Sequence, residues 1–570
     1  MEKPKTLNWA SRLADEKGLL KEFTLNRLFR HLQTMGITST FIFVISRIYF
    51  LMVLMIFRMV NHFKTKRVVQ APNDPLLMIS AKEAARKIRK REVNELINAV
   101  VVKLFDKAKQ KAEEIDKSIA DMDDHQLEEV EKQSIIGFYT YSYAIYKKFF
   151  IKAIVIISQN PLQLLWYPKP SINKQTSGES VNKNGQSAAL VVSKIIDKQT
   201  NRRMEAAGAI LIAITNVPEA CYWVETSNGI YGLTSNPYDT RRTVGGSSGG
   251  EGALISAAGS LIGIGSDIGG SIRIPSFMNG IFGMKNTPGI IPLDGHVPPV
   301  TGYPEEMLRV GPMCRYVEDL PILIEVMGGD KVPQLRLSDP VDFSKIRVFY
   351  MEGIQSPTLQ SLSYEMRSTL LEAVKHFETK FNVEAIRLDL PLAQKAVEML
   401  FASLEVEGEP RPGEYLISLE GNKGKLNWKL EIPKYLVGKS VHTPGALLVA
   451  MIEDIDRTPE TEKDEFRKLR SRLVRQVTET LGDNGILLFP SWPQTAPFHH
   501  QTVFTPFNCV YTGLFNVLAL PVVQCPMGLD SSGLPLGVQV VGSRNADRLL
   551  VAAAKEISNT FGGWTAPWTQ

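Results

Sequence analysis

The chain has 570 residues, 44% of them hydrophobic, which is enough to bury a large core in one large domain or several smaller ones. Its 65 Lys and Arg stand against 60 Asp and Glu, a net charge of +5 with the basic residues scattered, which argues against a nucleic-acid partner and makes a small-molecule substrate the default. Cys221, Cys314, Cys509 and Cys525 lie far apart without a CxxC pair and are expected to be buried free thiols, and the histidines form no cluster beyond His499 and His500, so no metal and no cofactor is expected.

Residues 1–40 are mostly polar, and Phe41 to Val60 (FIFVISRIYFLMVLMIFRMV) is apolar apart from Ser46, Arg47 and Arg58. That length approaches the roughly 20 residues needed to cross a bilayer, so a membrane-spanning or membrane-anchoring helix is predicted over 41–60. Arg47 would snorkel towards the headgroups and Arg58 would sit at the end of the span. A buried or interfacial helix is the alternative. The polar residues ahead of the segment and the lack of a small-residue cleavage site after it argue against a signal peptide. Basic residues flank both sides, leaving orientation open.

A linker is expected over 61–75, most clearly from Lys64 to Pro75, followed by one domain over 76–570. Ser80 to Gln110 has helical spacing of apolar residues with basic residues between them, and Ser80 is placed to cap it. Met204 to Gly208 closes a further helix; the runs 209–215, 261–265, 346–351, 486–490 and 537–542 read as short strands, and Ala546 to Thr560 as a final helix. This alternation predicts an α/β domain with a largely buried sheet.

Residues 245–275 (GGSSGGEGALISAAGSLIGIGSDIGGSIRIP) hold two glycine- and serine-rich clusters around a helix-like piece and a short strand. Consecutive glycines leave N–H groups free to converge on one point, as an oxyanion hole requires. In GSDIGGS the N–H groups of Ile268, Gly269, Gly270 and Ser271 are positioned to surround a carbonyl oxygen while Ser271 attacks its carbon. Neither cluster carries the GKS or GKT of a phosphate loop, and neither makes a dinucleotide fingerprint. Turn chemistry alone accounts poorly for two such clusters with Ser247 and Ser271 24 positions apart. A serine needs a base; no histidine lies between His125 and His296, so a lysine made neutral by burial is a second option beside a triad assembled from distant positions.

These residues resemble the amidase-signature family, and within it the membrane-bound fatty-acid amide hydrolase branch of the second type. The resemblance is carried by GGSSGGEGALI with GIGSDIGGSIRIPSFMNGIFGMK, supported by AGAILIAITNVPE, SNPYDTRRTVGGSSGGE, GPMCRYVEDL and GLPLGVQVVG, and it runs from about residue 75 to the C-terminus. It implies a large mixed β-sheet covered by helices on both faces, behind an N-terminal membrane helix. It also implies a Ser-cis-Ser-Lys triad, with Ser271 forming the acyl-enzyme and Ser247, after a cis peptide from Gly246, relaying the proton. Ile268, Gly269 and Gly270 would contact the oxyanion, while Ser248, Asp267 and Arg273 would fix the loop.

The family's lysine motif, resembling PLxGVPFTVKES, corresponds here to PLQLLWYPKPSIN (161–173). Lys169 matches best, 78 positions before Ser247, but Pro168 and Pro170 flank it and remove strand donors; Lys174 and Lys183 are weaker candidates. Residues 135–186 are aberrant against the family, with an aromatic, β-rich insertion at 135–159. Either the gene model is incorrect there or the chain is a divergent, inactive member, and well-matched segments on both sides favour the first. The expected activity is hydrolysis of an acyl amide, with a lipid amide and a membrane as partners, no nucleic acid, and self-association left open. Rival readings are a catalytically inactive membrane protein on the same fold, which Lys169 discriminates, and an amidotransferase-like subunit acting on charged tRNA, disfavoured by the hydrophobic anchor and the lack of a basic patch.

Overall fold

A computed structural model of the chain describes residues 25–70, 100–103, 154–157, 199–207, 209–296, 298–417 and 423–569. Neighbouring residues on its strands enter different cores: Ile486 and Leu488 join one apolar cluster, Leu487 and Phe489 another, and Val540 and Val541 divide the same way. A sheet covered on both faces selects apolar residues at every position, which is why these strands appear in sequence as unbroken hydrophobic runs.

The strands are β1 (Val100–Lys103), β2 (Ile154–Ile157), β3 (Ile210–Thr215), β4 (Ser227–Asn228), β5 (Gly232–Leu233), β6 (Ile262–Asp267), β7 (Phe282–Lys285), β8 (Arg309–Cys314), β9 (Arg347–Tyr350), β10 (Ala385–Arg387), β11 (Gly485–Pro490), β12 (Val522–Leu529) and β13 (Pro535–Gly542). Eleven of them form one mixed sheet in the order β1-β3-β2-β6-β8-β7-β12-β13-β11-β9-β10, and β4 with β5 makes a separate hairpin. The helices that matter below are α1 (Leu25–His62), α2 (Gln199–Ala206), α3 (Gly249–Ser256), α4 (Arg273–Met278), α5 (Asp319–Gly328), α6 (Tyr364–Phe381), α7 (Ala396–Leu404), α8 (Pro444–Ile455), α9 (Glu460–Leu481), α10 (Val510–Val517) and α11 (Asp547–Phe561). One face of the sheet is covered by α5, α6 and α11 through Leu323, Phe377 and Leu550; the other by α7, α9 and α10 through Met399, Val477 and Phe515.

The predicted strands at 209–215, 261–265, 346–351, 486–490 and 537–542 and the final helix overlap β3, β6, β9, β11, β13 and α11. One expectation is corrected. Within the predicted helix 80–110, Val100–Lys103 is the edge strand β1, antiparallel to β3, with Val102 opposite Ile214. Three consecutive β-branched valines fit an extended edge better than a helix, where their χ1 freedom is restricted; the rest of 80–110 lies outside the described residues. Within 135–186, Ile154–Ile157 forms strand β2, parallel to both β3 and β6; the rest of that stretch lies outside the described residues. Lys169, Lys174 and Lys183 lie outside the described residues. The start of the predicted linker is pinned to the body: Val69 N–H donates to Pro237 O (3.0 Å) and Thr240 N–H to Arg67 O (3.0 Å).

Candidate active site

Strand β6 ends at Asp267 and the chain turns through 268–272 into α4, while α3 starts directly after Ser247 and Ser248. The two glycine-serine clusters thereby meet: Ser248 N–H donates to Ser271 O at 3.1 Å, and Ser248 Oγ accepts from Ser266 N at 3.3 Å. The Gly246–Ser247 peptide is cis. Thr226 Oγ1 donates to Gly245 O (2.8 Å), and a Cβ on Gly246 would fall 2.5 Å from Trp223 O, so this turn is wedged against residues 223–226. That segment is held in turn by Glu225, whose carboxylate accepts from His500 N (3.0 Å) and lies 2.9 Å from His499 Nδ1. Ser247 and Ser248 are buried, and Ser271, Ile268 and Gly269 are half-buried.

Asp267 organises the turn. Its Oδ1 accepts from Gly270 N (2.8 Å) and Asn516 Nδ2 (2.8 Å), and its Oδ2 from Ile272 N (3.2 Å) and Arg273 Nε (2.9 Å). Burial alone would push this carboxyl up, but the Arg273 charge and its hydrogen bonds outweigh it and hold the group at about 2. Arg273 is itself fully buried, its Nη1 reaching Thr512 O (3.0 Å) and Gln539 Oε1 (2.8 Å). Gly270 adopts φ +123°, and a Cβ there would lie 1.9 Å from Thr512 Oγ1, so only glycine fits. The N–H of Gly270, expected to face an oxyanion, is engaged by Asp267 here, because the positive φ aims that peptide at the carboxylate. Thr512 Oγ1 stands at the other end of the same peptide, its one proton shared between Gly269 O (2.8 Å) and Cys509 O (2.9 Å). A Cβ on Gly269 would meet nothing within 4 Å, which marks the open side of the loop.

The fold thus brings together Ser247, Ser248, Asp267, Ile268, Gly269, Gly270, Ser271 and Arg273, and the proposed base Lys169 is outside the described residues. Sequence reasoning missed Thr512, Asn516 and Gln539, whose only signal is a polar residue inside an apolar run, as in GVQVVG. It also missed Lys285, whose ammonium is pushed well below its ordinary value, first by burial and then by Arg273 and Arg309, and whose Nζ donates to Leu520 O at 2.7 Å. Glu251 is a further buried group: burial pushes its carboxyl well up while Thr215 Oγ1 donates to it at 2.8 Å.

A large mixed sheet presenting a glycine-serine turn braced by a buried Asp–Arg pair defines an amidase-type hydrolase. The amidase family model matches residues 191–551, more than half of the chain, and the chain belongs to that family. It is 34% identical to fatty-acid amide hydrolase 2 of Homo sapiens over 525 residues, 88% of this chain and 92% of that protein. Fatty-acid amide hydrolase 2-A of Danio rerio is 36% identical over 519 residues, 87% and 91% of the two chains. Among solved structures, 6-aminohexanoate cyclic dimer hydrolase complexed with substrate superposes with a TM-score of 0.59 at 20% identity, covering 89% of this chain and 96% of that one.

Proposed function

We propose that the chain hydrolyses acyl amides of long-chain fatty acids at a membrane, through an acyl-enzyme on Ser271. The observation that carries this reading is the strap from Ser248 N–H to Ser271 O, which sets the two glycine-serine clusters edge to edge with Ser271 half-buried and Ser247 buried beside it. Ser271 Oγ attacks the amide carbon and Ser247 passes the displaced proton to a neutral lysine, Lys169 on the family resemblance. The N–H groups of Ile268 and Gly269 hold the oxyanion, with Gly270 bracing the turn through Asp267. The C–N bond then breaks as the proton returns through Ser247 to the leaving amine, and water attacks the acyl ester to release the fatty acid and restore Ser271. The fatty acyl preference draws on the relatives named fatty-acid amide hydrolases, and membrane association on the apolar stretch Phe41–His62, which is long enough to cross a bilayer.

The test is labelling of the purified chain by a fluorophosphonate probe with mapping of the adduct. Label on Ser271 that is lost in Ser271→Ala supports the reading; folded protein that takes no label at Ser271 overturns it and favours the inactive alternative. Lys169→Ala should abolish labelling, and persistent label moves the base to another lysine. Co-sedimentation with lipid vesicles tests the membrane part separately.

A further inference from the structure

Helix α1 is apolar between Phe41 and Val60 apart from Ser46, Arg47 and Arg58, yet the structure treats its two sides differently. Arg47, Phe50, Phe57 and Asn61 recur at helical spacing on one face, and that face is docked on the hydrolase. Arg47 Nη1 donates to Leu359 O (2.9 Å), Phe50 and Val53 are buried, and the Phe57 ring meets that of Phe504 at 5.6 Å. At the end of the helix Arg241 Nη1 donates to Asn61 O (3.3 Å) and to Lys64 O (3.2 Å). Lys66 Nζ continues the attachment by donating to Ser532 O (2.9 Å). The other side carries Phe41, Ile45, Ile48, Met52, Met55 and Met59, again at three- and four-residue spacing, and all of them are exposed; Met59 is 65% exposed.

Docking of this extent conflicts with crossing. From Arg47 to Asn61 the helix covers about 21 Å at 1.5 Å per residue, out of a hydrocarbon thickness of about 30 Å. Were α1 perpendicular to the bilayer in this arrangement, the backbone around Leu359 and Phe504, which lies level with residues 47–57, would sit at hydrocarbon depth. Lipid-exposed non-helical backbone at that depth is strongly disfavoured. Laid in the membrane plane, the same helix immerses its exposed stripe while the hydrolase occupies the side that an interfacial helix ordinarily gives to water. The exposed basic residues Arg58, His62 and Lys64 then stand level with anionic headgroups.

We propose that α1 does not cross the bilayer but lies in one leaflet, docked by one face on the hydrolase and immersed by the other, so that helix and body form a single monotopic lipid-binding surface. This rests on the membrane association proposed above. It is tested by spin labels on Ile45→Cys, Met52→Cys and Met59→Cys, each in a Cys221→Ala/Cys509→Ala background, bound to phosphatidylcholine vesicles containing phosphatidylserine. Equal depths within about 5 Å, all near the 5–10 Å of an interfacial helix, are expected. A label at Met52 about 10 Å deeper than those at Ile45 and Met59, as seven residues along a crossing helix require, overturns the proposal and leaves membrane association standing. Failure of the unlabelled full chain to sediment with the vesicles overturns both. A Met52→Glu/Met55→Glu variant should lose vesicle binding and keep fluorophosphonate labelling in solution; sedimentation undiminished by the two charges also counts against an immersed stripe.

Discussion

The peptide between Gly269 and Gly270 is held at both ends, its carbonyl by Thr512 Oγ1 at 2.8 Å and its N–H by Asp267 Oδ1 at 2.8 Å. Its orientation sets the direction of the neighbouring N–H groups, so Thr512 is a positioning residue for the proposed oxyanion site, and Thr512→Val releases one end with almost no change of shape. The stability cost is that of losing one hydrogen bond to the Gly269 carbonyl, about 1–3 kcal/mol where that carbonyl is left without a partner against α10. The effect on reaction is separate. Removing an oxyanion donor outright costs roughly 10²–10³ in rate, and loosening its support should cost about tenfold, or about 1.4 kcal/mol. The assay is the second-order rate of fluorophosphonate labelling at Ser271, with kcat and KM on a fatty-acid amide. The fall is expected in kcat with KM little changed, and Thr512→Ser, which keeps the hydroxyl, should recover most of it. A Thr512→Val rate within twofold of the parent, or an equal loss in Thr512→Ser, refutes the reasoning.

Arg273→Met removes the positive partner of a fully buried carboxylate, and the uncompensated Asp267 should cost about 3–5 kcal/mol, seen as a lower Tm and poor recovery of folded protein. Gly249→Ala would put a Cβ 2.1 Å from Thr226 Oγ1, the group holding Gly245 O, so it should destabilise by about 1–3 kcal/mol and slow labelling. Gly269→Ala, whose Cβ meets nothing, should leave Tm unchanged and slow labelling because the methyl occupies the open side of the loop. Burial, aided by the charge of Glu318, pushes the Asp319 carboxyl from 3.8 up to about 7. The folded protein therefore keeps a proton there that the unfolded chain releases, and stability falls as pH rises from about 4 to 7. Asp319→Asn should flatten that slope and stabilise the protein at pH 8 while changing little at pH 4, measured by denaturant unfolding at both pH values.

The strands and the glycine-serine turn at 268–272 are legible in the sequence for a common reason. A sheet buried on both faces demands unbroken apolar runs such as GILLFP, and a turn whose N–H groups converge demands glycines, so each requirement leaves a local mark. The bracing residues leave none. Asn516 reaches Asp267 across 249 positions and Gln539 reaches Arg273 across 266, and in sequence each is a lone polar residue in an apolar stretch. Strand β1 was misread because VVVK follows residues with helical spacing, and the decision to extend belongs to its pairing with β3, more than a hundred residues away.

The first helix was concealed differently. Protein interior and lipid both select apolar side chains, so a helix with one face on its own domain and the other in a membrane carries no polar stripe to tell the faces apart. The charge deepest inside the apolar stretch is Arg47. In a free span that charge must snorkel; docked, it has the Leu359 carbonyl at 2.9 Å. The position of a single arginine in an apolar helix therefore bears on orientation as well as on cost: placed on the side of Phe50 and Phe57, it points to the domain, and the exposed side of Ile45, Met52 and Met59 is the one proposed to meet lipid.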